Sequence, residues 1–431
     1  MNHLNDLFDY IAHSPSPFHA VAHTAERLEQ AGFTRLQENQ PWNLVPRGRY
    51  FVTRNQSSLI AFVLPERAGA SWRMSAAHSD SPSFRVKSAS HKQGFTMLDT
   101  EGYGGMIRSS WMDRPLGVAG RVLVSKDGAV ESRLVDLGGS AAVIPHLAIH
   151  LDREVNQGHN YDLKKDMQAI FQLGQDKDAF QRALAEKAGC QVQEILSTDL
   201  YLYCPQPGMQ VNGELVLCPR LDDLACAWAA LEGILQQENP SAGHIYCLFD
   251  NEEVGSGTRQ GACSDFLPQV LARIAQQQGL SVQEQAASLA GSLLLSADNG
   301  HAIHPNFAEM SDPTHPVELG KGVVLKFSAS QKYTTNAVTA ALLNRVASEN
   351  GVTLQHFYNR ADLPGGSTLG NLLAAQVSVP MADVGLPQLA MHASVETAAA
   401  GDVYGLWKLC CGWHQAEIHC TGDAGYQVKF V

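Results

Sequence analysis

The chain has 431 residues, 45% of them hydrophobic and 17% charged, with a formal net charge of −12. That length implies two domains, or one domain carrying a large insertion. The acidic balance argues against nucleic acid and anionic membrane surfaces as partners, and no apolar run is long enough to predict a membrane-spanning helix. Nine cysteines are scattered without Cys-x-x-Cys spacing, and Cys410 and Cys411 are adjacent. This usage fits a reducing compartment. The start, Met1-Asn-His-Leu-Asn-Asp6, lacks a basic region followed by an apolar stretch, so no signal peptide is predicted and a cytoplasmic location is expected.

In chain order, residues 3–12 read as a helix, Ser14-Pro-Ser-Pro17 interrupts it, and a second helix is predicted from Phe18 to about Ala31. Short apolar runs then predict strands at Tyr50–Thr53, Leu59–Leu64 and Trp72–Ala76. From about Ser88 to Gly213 the texture changes. Glycines cluster at Gly102, Gly104, Gly105, Gly117 and Gly120, Arg121–Val124 and Leu134–Leu137 look like hairpin strands, and a polar stretch runs from Asn156 to Cys190. Residues 88–213 are therefore expected to form an inserted β-rich domain, with 1–87 and 214–431 forming the main one.

After Pro219 the pattern alternates. Helices are predicted at Asp222–Gln237, Phe266–Gln278, Asn336–Asn350 and from Ala399 to about Glu417. Strands are predicted at His244–Phe249, Leu293–Ala297, Val323–Phe327, Val377–Val379 and Gln388–Met391. The fold class is thus α/β, a mostly parallel central sheet flanked by helices. Sites in that architecture lie at the carboxyl ends of strands.

Several of those ends carry chemistry. His78 follows Trp72–Ala77, Glu252 and Glu253 follow His244–Phe249, Asp298 follows Leu293–Ala297, and His392 follows Gln388–Met391. Asp222 stands where a helix should begin. Each has an ordinary explanation alone: Asp222-Asp223 as a helix cap, Asp298 as a turn residue, His78 with Asp80 as a hydrogen-bonded pair. Together they are a mixed nitrogen and oxygen donor set without thiolate, which suits Zn2+, Co2+ or Mn2+. A bridging carboxylate with two or three further ligands per ion would hold two metals, and Asp80 would then orient His78.

The motifs resemble the aspartyl aminopeptidase family, which includes vacuolar aminopeptidase I, nearly end to end. The carriers are His78-Ser-Asp80-Ser-Pro82, Tyr103-Gly-Gly105, Trp111-Met-Asp113-Arg114, Ile144-Pro-His146-Leu-Ala-Ile-His150 and Pro219-Arg-Leu-Asp222. Further on come Phe249-Asp-Asn-Glu252-Glu253-Val-Gly-Ser256, Asp298 with His301-Ala-Ile-His304-Pro-Asn306, Gly365-Gly-Ser-Thr368 and Met391-His392.

The resemblance implies that His78, Asp222, Glu253, Asp298 and His392 are metal ligands, with Asp222 bridging, and that Glu252 is the catalytic base with Asp80 assisting. It implies two divalent ions, Zn2+ first and Co2+ or Mn2+ as alternatives. His150 matches a histidine that enters the active site across a subunit contact, as a ligand or as a contact to substrate; His146 is the weaker candidate. Lys326 matches the cation that reads an acidic side chain, with Lys332 as competitor. The implied activity is removal of N-terminal Asp and Glu from peptides. The implied assembly is a tetrahedral dodecamer built from dimers through residues 88–213.

Three departures stand out. Ala393 and Val395 in His392-Ala-Ser-Val-Glu396 remove a hydroxyl and a cation usual there, and Asn299-Gly300 replaces a bulkier pair, which predicts a looser loop. Two other functions fit the same ligands. A two-metal deacylase or carboxypeptidase would accept blocked peptides or read a carboxyl terminus. A non-catalytic assembly protein would be expected to have lost Glu252 or a ligand.

Overall fold

The computed structural model describes residues 3–174, 176–237 and 241–430. Positions 1, 2 and 431, which end the expected main domain, lie outside the described residues. The two N-terminal helices are His3–Ala12 and Pro17–Gln30. The Ser-Pro repeat explains the break: Pro17 is pre-set for a first helical turn, and Ser16 caps it by accepting from the His19 N–H.

The central sheet has nine strands. Its spatial order is Thr34–Leu36, Arg49–Arg54, Ser58–Val63, Gly243–Phe249, Trp72–His78, Leu293–Ala297, Met381–Gly385, Val323–Lys326 and Leu354–Phe357. The four strands from Gly243–Phe249 to Met381–Gly385 are parallel, whereas Ser58–Val63 and Val323–Lys326 run antiparallel against them. These strands read as continuous apolar runs because both faces are covered. Tyr246 and Leu248 pack beneath Trp228, Leu406 and Trp413 of the helices Leu221–Gln236 and Ala400–Gln415. Ile245, Cys247 and Phe249 face Phe266, Leu267 and Leu271 of the helix Phe266–Gln277.

Thr34–Leu36 and Leu354–Phe357 were not expected, and two of the expected strands lie elsewhere. Val377 and Val379 are buried in irregular chain, and the strand is Met381–Gly385 instead. An acid at its centre, Asp383, obscured it. That carboxylate is satisfied internally by the Thr334 N–H and hydroxyl and by the Thr368 hydroxyl at 2.6 Å. The predicted strand Gln388–Met391 is shorter, Pro387–Leu389, and belongs to a separate five-stranded sheet with Met209–Val211, Leu215–Cys218, Glu396–Ala399 and Gly300–His301. A hairpin, Glu417–Gly422 and Gly425–Lys429, follows the last helix where none was expected.

A second body of seven strands runs from Ser83–Lys92 to Ile195–Tyr203. Ile195–Tyr203 pairs with both Ser83–Lys92 and Pro115–Lys126, which closes the sheet on itself. Closure encloses a core of its own around Phe84, Leu98, Trp111, Leu116, Val122 and Leu200, while Ala129–Asp136 stays an edge strand, paired among the described residues only with Pro115–Lys126. Among the described residues no helix is long and apolar enough to cross a membrane.

Candidate metal centre and active site

The strand Trp72–His78 delivers His78 at its carboxyl end. The His78 Nδ1 lies 3.0 Å from the Asp80 carbonyl oxygen and 3.4 Å from its carboxylate. A carbonyl can only accept, so Nδ1 keeps a proton, and Nε2 is the nitrogen that faces Asp222, 3.6 Å away. His392 repeats the arrangement. Its Nδ1 donates to the Gly105 carbonyl at 2.7 Å, and its Nε2 faces Asp222 at 3.6 Å and Glu253 at 3.5 Å.

Each imidazole addresses a different oxygen of Asp222, Oδ1 for His78 and Oδ2 for His392. Asp222 itself follows the strand Leu215–Cys218 and is held through its N–H by Glu396 at 3.0 Å. Glu396 also accepts from the His392 N–H at 2.8 Å, so one buried carboxylate fixes both segments. Asp298 ends Leu293–Ala297 and donates its N–H to the Val384 carbonyl at 2.9 Å. Gly385 alongside must be glycine, because a Cβ there would lie 1.9 Å from the Asp298 carbonyl oxygen.

The Glu252–Glu253 turn depends on Asp80. After the strand Gly243–Phe249, Asn251 takes a left-handed conformation, φ 63°, and the chain reverses. The Asp80 carboxylate then accepts from the Glu252 and Glu253 N–H groups, each at 3.1 Å, and from the Tyr103 hydroxyl at 2.7 Å. Gly104 beyond Tyr103 lets the barrel approach, since a Cβ there would come within 3.1 Å of Glu253. The barrel therefore supplies Tyr103 and Gly105 as supports of the site.

Three overlapping donor groups result, in each of which the ligand atoms lie within 4.8 Å of one another; one is His78 with Glu252 and Glu253, and the other two share Asp222. Of those two, one comprises His78, Asp222, Asp223 and Asp298, and the other comprises Asp222, Glu253 and His392. Two donors bound to one tetrahedral ion at about 2.0–2.1 Å stand roughly 3.4 Å apart, close to the 3.5–3.6 Å found here. Oδ1 of Asp222 and Oδ1 of Asp223 are buried without any hydrogen-bond partner. Such orphaned acceptors are costly unless a cation meets them. The donor set fits divalent metal.

The electrostatics agree. Burial first, then neighbouring carboxylates, pushes Glu252 up to about 8 and Asp223 and Glu253 well above the carboxylate range. Burial raises Asp298 to about 6 against the opposing pull of Lys326. His392 is raised to about 10, the carboxylates of Asp222 and Glu253 outweighing burial. The site carries more acid than its own cations balance.

His78, Asp222, Glu253, Asp298 and His392, with Glu252, line one cleft of about 170 Å3. Lys326 lines it too. It is buried, donates to the Asn299 carbonyl at 2.6 Å, stands 3.7 Å from Asp298 and lies 5.4 Å from the Tyr333 ring centroid. Burial alone would lower its pKa, but Asp298 and its other neighbours hold it above the ordinary lysine value. Lys332 is exposed, donates to the Gly365 carbonyl at 3.0 Å and does not line the cleft. His150 is exposed and does not line the cleft of its own chain. His146 is engaged by Asp113 at 2.5 Å and Tyr161 at 3.1 Å.

Sequence reasoning missed three supports. Asp223 reads as a cap residue, Glu396 as a strand acid, and Gly105 as one of many glycines; only their distant partners reveal them. The expected looseness at Asn299 is corrected. Its amide donates to the Leu221 carbonyl at 2.7 Å and accepts from the Leu386 N–H at 3.0 Å, which locks the loop. Ala393 and Val395 leave both supports of His392, Gly105 and Glu396, in place.

Residues 10–413 match the family model described as aminopeptidase I zinc metalloprotease (M18). The chain belongs to the M18 aminopeptidase family. Among its relatives is a probable M18 family aminopeptidase 2 of Clostridium novyi (strain NT), 38% identical over 93% of this chain and 95% of that protein. The fold is similar to that in the cryo-EM structure of the Ape4 and Nbr1 complex, with a TM-score of 0.92 at 33% identity, covering 96% of this chain and 85% of the other. It is also similar to the S. cerevisiae mApe1 dodecamer, with a TM-score of 0.83 at 28% identity over 95% and 97% of the two chains. The chain is accordingly a metal-dependent M18 aminopeptidase, which sets aside the deacylase, carboxypeptidase and non-catalytic alternatives.

Proposed function

We propose that this M18 aminopeptidase removes N-terminal Asp and Glu from peptides at a dinuclear centre. The observation that carries the reading is the placement of the buried Lys326 ammonium in the same cleft as two ligand groups that share Asp222. His78, Asp222 and Asp298 would hold one ion, and Asp222, Glu253 and His392 the other, with Asp223 beside the first. Bound there, two divalent cations, Zn2+ first and Co2+ or Mn2+ as alternatives, would polarise the scissile carbonyl and acidify the attacking water.

The protein's part follows from position. Glu252, beside Glu253 on the turn capped by Asp80, takes the proton from water and returns it to the leaving amine. Asp80 orients that turn and the His78 ring. Lys326 offers its ammonium to the substrate's acidic side chain, where a desolvated cation discriminates strongly against apolar residues.

His150 would act on substrate in a second copy of the chain. Residues 88–213 are read as the inserted dimerisation domain and the dimers as units of a tetrahedral dodecamer, a reading supported by the likeness to the mApe1 dodecamer. A cytoplasmic location is proposed with it. The test is a panel of Asp-, Glu-, Leu- and Lys-anilides. Wild type should release Asp and Glu selectively, and Lys326→Met should lose roughly 100-fold in kcat/KM on Asp while sparing Leu. Equal cleavage of Leu and Asp by wild type would remove the acidic pocket.

A further inference from the structure

The barrel carries a basic groove that the activity above does not use. Lys87 and Lys92 on the strand Ser83–Lys92, with Lys164 and Lys165 from a loop across from it, line a groove of about 810 Å3. All four are exposed, and among the described residues none lies within ion-pair distance of a carboxylate, although the charge of Lys165 acts on the neighbouring Asp166. In a chain of net charge −12, four exposed ammonium groups in one groove are a concentrated exception. Of the two acids lining the groove, Asp99 is occupied by the hydroxyls of Ser88 and Ser90 at 2.9 and 3.1 Å, and Glu101 is exposed.

The groove is built rather than incidental. Asp162 accepts from the N–H groups of Lys164 and Lys165, each at 2.8 Å, which fixes the turn that presents them. Gln168 fastens that turn to the barrel, donating to the Leu163 carbonyl at 2.6 Å and accepting from the Thr100 N–H at 2.8 Å.

Its direction matters most. The strand Phe95–Tyr103 forms part of the groove at Met97, Asp99 and Gly102, and continues to Tyr103 and Gly104, which touch Asp80 and Glu253. From Met97 to Gly102 the strand covers about 17 Å, the length of five extended residues. The strand thus runs from the groove to the residues that support the metal cleft.

Resting on the reading of the cleft as an acid-specific aminopeptidase, we propose that this groove binds the downstream part of the substrate and selects peptides with acidic residues beyond the first. Carboxylates spaced along an extended chain would meet the ammonium groups in turn. Long-range attraction would also concentrate such peptides at the cleft at low salt.

The test uses the metal-replete full chain and two octapeptides headed by Asp. One has Glu at its third, fifth and seventh positions, and its twin has Gln there; Asp-anilide is the short control. With exposed contacts of about twofold each, wild type should favour the Glu peptide in kcat/KM by roughly tenfold at low salt, and about 0.5 M salt should abolish the preference. The quadruple variant Lys87→Gln, Lys92→Gln, Lys164→Gln, Lys165→Gln should lose the preference and keep wild-type activity on Asp-anilide.

Equal cleavage of the twins by wild type overturns the inference, and that arm needs no variant to fold. A preference that survives the quadruple substitution also overturns it, as does a change in assembly mass caused by these substitutions, because the groove would then be a subunit contact. If Asp-anilide is not preferred over Leu-anilide, the acid-specific cleft fails instead, and Leu-headed twins test the groove alone.

Discussion

Asp80→Asn changes one atom in a fully buried carboxylate that serves three elements at once. Oδ1 accepts from the Glu252 N–H, and Oδ2 accepts from the Glu253 N–H and the Tyr103 hydroxyl. Asparagine keeps one acceptor oxygen and replaces the other with an NH2 that only donates, so in either orientation that NH2 must face a backbone N–H. Placing the amide at Oδ2 is less damaging, since Tyr103 could rotate to accept, yet Glu253 N–H then stays unmet. Placing it at Oδ1 confronts both Glu252 N–H and the His78 ring. An unsatisfied buried donor costs about 1–3 kcal/mol. The Asp80 carbonyl that accepts from the His78 ring is kept. Losing the carboxylate 3.4 Å from that ring should therefore lower metal affinity or activity by about 10-fold, the lower end for an outer partner of a ligating histidine. Urea melts of the chelated protein should show the first loss, and competition with a chromophoric chelator the second. An Asp80→Asn protein with wild-type stability, affinity and turnover would refute the role of Asp80 as the support of the Glu252–Glu253 turn.

Further expectations follow from the same geometry. Glu252→Gln keeps the cleft's shape but cannot take a proton, so kcat should fall about 10²–10⁴-fold while metal content stays constant by elemental analysis; a variant that turns over normally would move the base elsewhere. Without metal, the chain should lose stability as pH rises. Glu252, raised to about 8, and Asp298, raised to about 6, leave the folded state holding protons that the unfolded chain has released, so folding weakens from the ordinary carboxylate range up to about pH 8. His392, raised to about 10, gives stability that is complete below the ordinary histidine pKa and lost through pH 10. Asp80 and Asp222, held low, contribute constantly across that window. Thermal melts of chelated protein should therefore fall between pH 5.5 and 9, and divalent metal should flatten the trend; a chelated Tm that climbs with pH would contradict it.

The strands that carry the site were legible because burial on both faces makes them apolar runs that end abruptly on a charged residue, as Trp72–His78 and Gly243–Phe249 do. Met381–Gly385 escaped because its buried Asp383 looks like a loop residue until Thr334 and Thr368 are seen to satisfy it. The origin of His392 in a second small sheet was also hidden, since Pro387–Leu389 is too short to announce its partners. Ligand types could be read from sequence; the atoms behind them could not. Glu396 holds Asp222 across 174 residues and Gly105 holds His392 across 287, and separations of that size leave no local pattern.

The central claim, two ions sharing Asp222, is tested most directly by titrating chelated protein with Zn2+ and following Asp-anilide cleavage against metal equivalents per chain. The account predicts activity that rises to a plateau at about two equivalents, with Asp222→Asn losing capacity at both positions. A plateau at one equivalent, or an Asp222→Asn protein that still binds two ions, would contradict it.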